Sequence, residues 1–396
     1  MSLLNTNFMA LCGCALLTSV ATLSTLLPAV AQSKRSGKLF VYVGGYTTGK
    51  TKGIFIYSMN RSTGQLTPEG VGPDVESPSF LALHPNHQYL YAVNETDTFN
   101  GKPGGGVSSY KIDPETGALT LINEQTSGGT GPCHIVVDAA GKNVLVANYG
   151  GGSVEVLPIH PDGSLGEPTC FVQHTGKGVD PARQEGPHAH STTVDPTGKF
   201  ALVCDLGTDK IVVYKYDSAA GTIDATGVEP GVVAPGSGPR HFVFTQDNKH
   251  AFVINEMKST ITGFNYDGSN GSLKEFQTIS TLPADYTGST TCAEIAISSD
   301  GKFLYGSNRG HDSIAIYSIA KGDYKLTLIG IQPTGGKTPR NFAMDPSGKF
   351  LVAANQNSNN LVVFKRDKGS GKLTQTGQPL EAPAPVTIVF LPQDTK

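Results

Sequence analysis

The chain has 396 residues, among them 48 Gly and 25 Pro, a share of helix-breaking positions well above the roughly 12% of average usage, and this excludes a long helical protein. Charged residues make up 16% and the formal net charge is −3, which leaves no basic surface for a polyanion and excludes nucleic acid as an expected partner. With 38% hydrophobic residues the chain is globular, and at this length several domains are expected unless one repeat runs throughout.

Residues 1–31 carry no Lys, Arg, Asp or Glu, run apolar from Phe8 to Leu27, and end in Ala29-Val30-Ala31, the small-x-small pattern a signal peptidase cuts. Cleavage after Ala31, a mature chain starting at Gln32 and a periplasmic or secreted location are expected. Ser, Thr and Cys interrupt the run and Pro28 closes it, so no stable membrane span is expected. Cys12 and Cys14 leave with this segment. Cys133, Cys170, Cys204 and Cys292 remain, scattered without a CxxC pair, and read as free buried thiols rather than a disulfide or zinc framework.

Leu39–Gly44 and Ile54–Tyr57 read as two strands, followed by a third at Gly64-Gln65-Leu66-Thr67. The connection between the first two, Gly44-Gly45-Tyr46-Thr47-Thr48-Gly49-Lys50-Thr51, matches the phosphate-cradling P-loop pattern. That loop works only where a helix N-terminus follows, and here a strand follows, so it reads as a strand connector. Further on, His84-Pro85-Asn86-His87 has metal-like spacing but sits on a turn, where solvent-facing histidines are expected.

From here one phrase recurs, clearest in Val194-Asp195-Pro196-Thr197-Gly198-Lys199-Phe200 and Met344-Asp345-Pro346-Ser347-Gly348-Lys349-Phe350. Its anchor falls at His84, Asp138, Asp195, Thr245, Ser298 and Asp345, at intervals of 54, 57, 50, 53 and 47 residues. Each copy reads as four short strands, with period-two alternation in Ile211-Val212-Val213-Tyr214 and Ile314-Ala315-Ile316-Tyr317. Four strands in roughly fifty residues is the period of a propeller blade. The N-terminal copy lacks its first strand, and Pro385-Val386-Thr387-Ile388-Val389-Phe390 supplies it. The expected fold is therefore all-β, a seven-bladed propeller over 32–396, closed by pairing the C-terminal strand with the N-terminal blade.

In a propeller the innermost strands line a central channel, so residues just before each anchor and just after each second strand gather at one mouth. Five residues before the anchors stand Cys133, His190, Arg240, Ala293 and Arg340, followed by His134, Ser191, His241, Glu294 and Asn341. The second strands end in Asn94-Glu95, Asn148-Tyr149, Asp205-Leu206, Asn255-Glu256, Asn308-Arg309 and Asn355-Gln356. The recurring Asn and Asp residues suit strand-end turns. Glu256, Arg309, Arg240 and His190, which a repeat does not require, are candidates for function.

Gly186-Pro187-His188-Ala189-His190, Asp205-Leu206-Gly207-Thr208-Asp209, Gly238-Pro239-Arg240-His241, Asn255-Glu256 and Ser307-Asn308-Arg309-Gly310 resemble the signature segments of the seven-bladed propeller lactonase family. That family includes bacterial propeller-type 6-phosphogluconolactonases and the fungal carboxy-muconate lactonizing enzyme. The resemblance covers essentially the whole mature chain. It implies hydrolysis of a sugar lactone, with the catalytic set carried by His190 (or His188), Arg240, Glu256 and Arg309.

Those residue types suit the reaction. Lactone hydrolysis needs a base for water, a positive group for the oxygen that gains charge, and an anchor for an anionic tail. His190 or Glu256 serves as base and later acid, His190 being the better shuttle near neutrality, and Arg240 and Arg309 serve the oxyanion and the tail. His134, His188, His241, Arg340 and Glu294 are expected to contact substrate. The absence of a Gly-x-Ser-x-Gly elbow disfavours a covalent serine route. His188 and His190 lie two apart without a clear third ligand, so a metal-independent route with no cofactor is expected. Two other readings use the same residues or surface: ring opening or closure of muconate-type acids, and a non-catalytic exported propeller that binds a partner. A monomer is expected.

Overall fold

In this computed structural model, residues 38–48 and 52–392 are described, and the signal-peptide reading over 1–31 and the start at Gln32 lie outside the described residues. The described chain forms seven antiparallel sheets of four strands or more. A repeat such as Ala189–Val194, Phe200–Asp205, Lys210–Asp217 and Thr222–Asp224 makes one sheet, to which Gly231–Val232 adds by pairing the third strand. The second blade carries a small extra hairpin, Thr98–Phe99 with Lys102–Pro103.

The inner strands are Pro385–Phe390, Phe80–Leu83, Pro132–Val137, Ala189–Val194, Pro239–Phe244, Thr291–Ile297 and Pro339–Met344. Each abuts the next, and the last returns to the first, so the sheets form a closed circle. Leu39–Gly45 pairs with Pro385–Phe390 in the register Val41↔Phe390 and Val43↔Ile388, which closes the ring as expected. A strand, Phe55–Met59, follows the P-loop-like segment, consistent with its reading as a connector.

Alternation explains why the blades stack. In Leu39–Gly45, Leu39, Val41 and Val43 pack with Phe350 and Val352 of the seventh blade, while Phe40 and Tyr42 pack with Leu81 and Leu90 of the second. Successive strand residues point to opposite faces, and both faces here are buried. One apolar cluster of this kind fills each gap between neighbouring blades. The four cysteines among the described residues are free thiols; Cys133, Cys204 and Cys292 are buried, whereas Cys170 is only half-buried.

The recurrent Asp-Pro-x-Gly-Lys phrase is an Asx turn. Asp195 Oδ1 accepts the amides of Lys199 and Phe200 at 2.9 and 2.8 Å, and Asp345 repeats this with Lys349 and Phe350. His84 departs from the expectation of a solvent-facing turn. It is half-buried, and its Nε2 lies 3.0 Å from the carbonyl oxygen of Gly141 in the next blade's anchor turn.

At the closing seam Gly64, with φ +79, lies so close to the Phe350 ring that an added Cβ would sit 2.6 Å from it. Gly64→Ala is expected to lower stability by about 1–3 kcal/mol in chemical denaturation, through overpacking and the positive φ. Glu155 gives a second test. It is 3% exposed, its Oε2 has no partner, and burial pushes its carboxyl up from 4.5 to about 8. The folded state then holds a proton that the unfolded chain releases, so stability falls as pH rises from 4.5 to about 8. Glu155→Gln is expected to weaken this dependence, with its advantage over the parent largest at pH 8 and absent near pH 4.5 in thermal melts.

Candidate active site

Six of the seven inner strands, all but Phe80–Leu83, share an irregularity that the repeat pattern does not announce. Pairing passes from Pro132↔Asn148 to His134↔Ala147, from Ala189↔Asp205 to Ser191↔Cys204, from Pro239↔Asn255 to His241↔Ile254, and from Pro339↔Asn355 to Asn341↔Ala354. Cys133, His190, Arg240 and Arg340 are thus each the extra residue of a β-bulge, left outside the ladder and free to be re-aimed. Ala293-Glu294 and Val386 interrupt their strands at corresponding points.

A pocket of about 310 Å3 is lined by Glu95, Cys133, Tyr149, Arg183, His190, Glu256, Thr291, Arg309 and Arg340. Glu256 is the centre of one wall. Its Oε1 takes Arg183 Nη2 at 2.6 Å, and its Oε2 takes Arg309 Nη2 at 2.7 Å and Arg240 Nε at 3.1 Å. Burial raises the pKa of this carboxyl, but Arg309, Arg240 and Arg183 outweigh it and hold the group at about 2. Glu256 is therefore an ionised acceptor throughout the neutral range. Arg309 Nη2 also donates to the Cys292 carbonyl at 2.8 Å.

The wall built by the first, second and seventh blades differs. Tyr46 Oη donates to Glu95 Oε1 at 2.9 Å, and the Arg340 guanidinium lies 5.4 Å from the Tyr46 ring centroid. His190 stands between the walls, 3% exposed, with Nδ1 3.8 Å from Cys133 Sγ and Nε2 without a protein partner among the described residues. Burial first, and then Arg240, His241, Arg340 and Arg309, push its pKa well below the usual imidazole value. It is neutral at neutral pH.

His134, His241 and Glu294 form a layer that does not line this pocket. Arg240 Nη1 donates to His241 Nε2 at 3.3 Å, so the His241 proton is on Nδ1, which donates to Glu294 Oε1 at 3.1 Å. Glu294 also accepts from Asn341 Nδ2, and burial pushes its carboxyl up to about 7. The His134 ring packs 4.2 Å from Phe80 and 5.2 Å from His241, centroid to centroid. Arg240 likewise stands outside the lining, bonded to Glu256. Burial and its guanidinium neighbours Arg309 and Arg340 lower it to about 10, so it stays charged at neutral pH.

His188 stands outside this lining: its ring stacks 4.6 Å from Tyr149, its Nδ1 lies 3.0 Å from the Tyr149 carbonyl oxygen, and its Nε2 faces Glu185. The strand-end residues behave as turn and blade connectors. Asn148, Asn308 and Asn355 donate to the carbonyls of Ser127, Thr281 and Thr334. Asp205, standing where most blades have Asn, accepts from His174 Nδ1 at 2.6 Å instead, and from the amide of His188 at 2.9 Å. Arg183, Tyr149, Tyr46, Glu95 and Thr291 were not singled out by sequence. Arg183 comes from the connection 174–188, outside the repeat, whereas Tyr149 and Glu95 occupy the same strand-end position as Glu256 and Arg309 and were legible there.

This seven-bladed propeller gathers at one pocket a neutral imidazole, clustered guanidiniums and carboxylates, the group types that hydrolysis of a small ester calls for. A sequence profile described as "Lactonase, 7-bladed beta-propeller" matches residues 40–390, and the chain belongs to that family. It is 37% identical over 292 residues to the 6-phosphogluconolactonase of Bacillus subtilis (strain 168), covering 74% of this chain and 81% of that protein. A second 6-phosphogluconolactonase, from Formosa agariphila, is 39% identical over 304 residues, covering 74% and 83% of the two chains. Among solved structures, the periplasmic gluconolactonase of Pseudomonas aeruginosa superposes with a TM-score of 0.84 at 33% identity, covering 89% of this chain and 99% of the other.

Removing the charge of Glu256 leaves three guanidiniums facing one another. Glu256→Gln is expected to cost about 3–5 kcal/mol of stability, the usual penalty for breaking a buried pair, and to raise the salt sensitivity of unfolding in denaturant titrations.

Proposed function

We propose that this chain hydrolyses a sugar lactone to the corresponding hydroxy acid, with His190 as general base and then general acid. The observation that carries the reading is a neutral imidazole whose Nε2 has no protein partner among the described residues, lining a pocket beside guanidiniums that Glu256 fixes in place. The 6-phosphogluconolactonase relatives and the gluconolactonase neighbour support a sugar lactone as substrate class.

In the first step a water oxygen bonds to the lactone carbonyl carbon while His190 takes the water proton. The carbonyl oxygen becomes an oxyanion, which the Arg309 guanidinium, held by Glu256 and the Cys292 carbonyl, receives. In the second step the intermediate collapses, the bond from the carbonyl carbon to the ring oxygen breaks, and His190 returns its proton to that oxygen. The products are the carboxylic acid, which ionises to solvent, and the freed hydroxyl group. Glu256, already ionised, holds Arg309, Arg240 and Arg183 rather than moving a proton. Arg240, His241 and Glu294 act from behind the pocket, and His134 and His188 shape its surroundings. The apolar run over 1–31 and the periplasmic neighbour support an exported enzyme that starts at Gln32.

His190→Ala is expected to lower kcat by about 10²–10⁴, the usual worth of a positioned proton-transfer group, while circular dichroism retains the folded spectrum. Hydrolysis of glucono-1,5-lactone or its 6-phosphate, followed above the spontaneous rate, reads the effect. The pH profile gives an independent check. A base must be neutral to act, and a lowered pKa keeps His190 neutral into the acid range, so kcat/KM is expected to hold through pH 6.5 and fall only well below it. A decline centred on the ordinary imidazole value would assign the base to another group.

A further inference from the structure

Charge is distributed unevenly around the pocket. Arg340 has Glu95 as its first charged neighbour across the Tyr46 ring, whereas Arg183, Arg240 and Arg309 all ion-pair with the one carboxylate Glu256, and Glu294 acts on Arg240 from behind the pocket. Three guanidiniums against Glu256, with Glu294 titrating at about 7 behind Arg240, leave this wall with a net positive charge, which suits an anion. The three guanidiniums are not equally available. The side chains of Arg240 and Arg309 are 3% and 13% exposed, but that of Arg183 is 40% exposed. Arg183 uses Nη2 on Glu256 and on the Tyr149 hydroxyl, at 2.6 and 3.3 Å, which leaves further N–H donors of its fork open at the mouth.

The origin of Arg183 also sets it apart. It lies on 174–188, the longest of the connections that lead into an inner strand. That connection is rigidly tied: the buried Gln184 accepts the amides of Val179 and Asp180 and donates to the Leu206 carbonyl, while Asp180 Oδ1 accepts the Arg183 amide at 3.2 Å. A fixed backbone with a partly free guanidinium is suited to taking a ligand's charged end without reorganising the fold.

Building on the lactonase reading above, we propose that Arg183 is the specificity-determining residue for an anionic substituent on the lactone, receiving a phosphate at the pocket mouth while His190 and Arg309 face the ester. Arg183 thereby separates phosphorylated from unphosphorylated sugar lactones in a site whose remaining groups serve both.

The test compares kcat/KM for 6-phosphoglucono-1,5-lactone and for glucono-1,5-lactone in the full-length protein and in Arg183→Gln. The expected result is a tenfold or greater fall in the phosphorylated-to-unphosphorylated ratio, carried mainly by KM, with Arg183→Lys intermediate. An equal loss on both lactones would mean that Arg183 only supports Glu256, and an unchanged ratio would mean that it does not read the substituent; either overturns the proposal. If the parent protein hydrolyses neither lactone above the spontaneous rate, the lactonase reading fails separately. Calorimetric binding of 6-phosphogluconate and gluconate then decides the role of Arg183: selective loss of the phosphorylated ligand in Arg183→Gln sustains it, and equal binding by both proteins overturns it.

Discussion

No blade of this protein can bury itself. Each sheet has two apolar faces, and only a neighbour on either side can cover them, so the arrangement is stable only as a complete circle. The ladder between Leu39–Gly45 and Pro385–Phe390 closes that circle within a blade rather than between two, so the closing joint consists of backbone hydrogen bonds as well as side-chain packing. The rigidity of the channel mouth follows. Side chains on the inner strands are held by a ring that cannot relax at one point without opening everywhere.

On that ring, function is written as a small departure from regular pairing. An inner strand in perfect register would spend its residues on the two blade interfaces, with none to spare for the channel. One extra residue at the same place in successive strands releases Cys133, His190, Arg240 and Arg340 from that duty. Of these, Arg240 gathers with Arg183 and Arg309, three like charges whose repulsion the shared Glu256 offsets. Its ionisation is secured by the same guanidiniums that it stabilises, so acid and bases are mutually fixed. This leaves His190 as a neutral lining group among fixed charges, the arrangement on which the proposed proton transfer rests.

Much of the architecture was legible because a repeat multiplies weak signals. The Asp-Pro-x-Gly-Lys phrase gave the period, and the unpaired Leu39–Gly45 strand pointed to its complement at Pro385–Phe390. The site was legible in part. His190, Glu256, Arg309 and Arg340 stood out as chemistry at repeat positions, and all four line one pocket. Arg240, His134, His241 and Glu294 stood out for the same reason but sit outside its lining, because spacing reports position along a strand and not depth within the channel. His188 shares a strand parity with His190, yet it precedes the bulge, and its ring turns onto Tyr149. Arg183 carried no signal, since an irregular connection has no sister copies against which an unusual residue could be noticed.

The contact between the Arg340 guanidinium and the Tyr46 ring joins the last blade to the first, and it bears on how the molecule comes into being. A nascent polypeptide emerges in order, and its first blade waits for an inner strand until 385–390 has been made. Bringing such distant segments together costs an entropy that grows only with the logarithm of the span, so the delay weighs on the speed of maturation more than on final stability. An unfinished chain is thus not a weaker catalyst but an inert one: a premature stop in the last repeat removes the whole activity rather than a seventh of it.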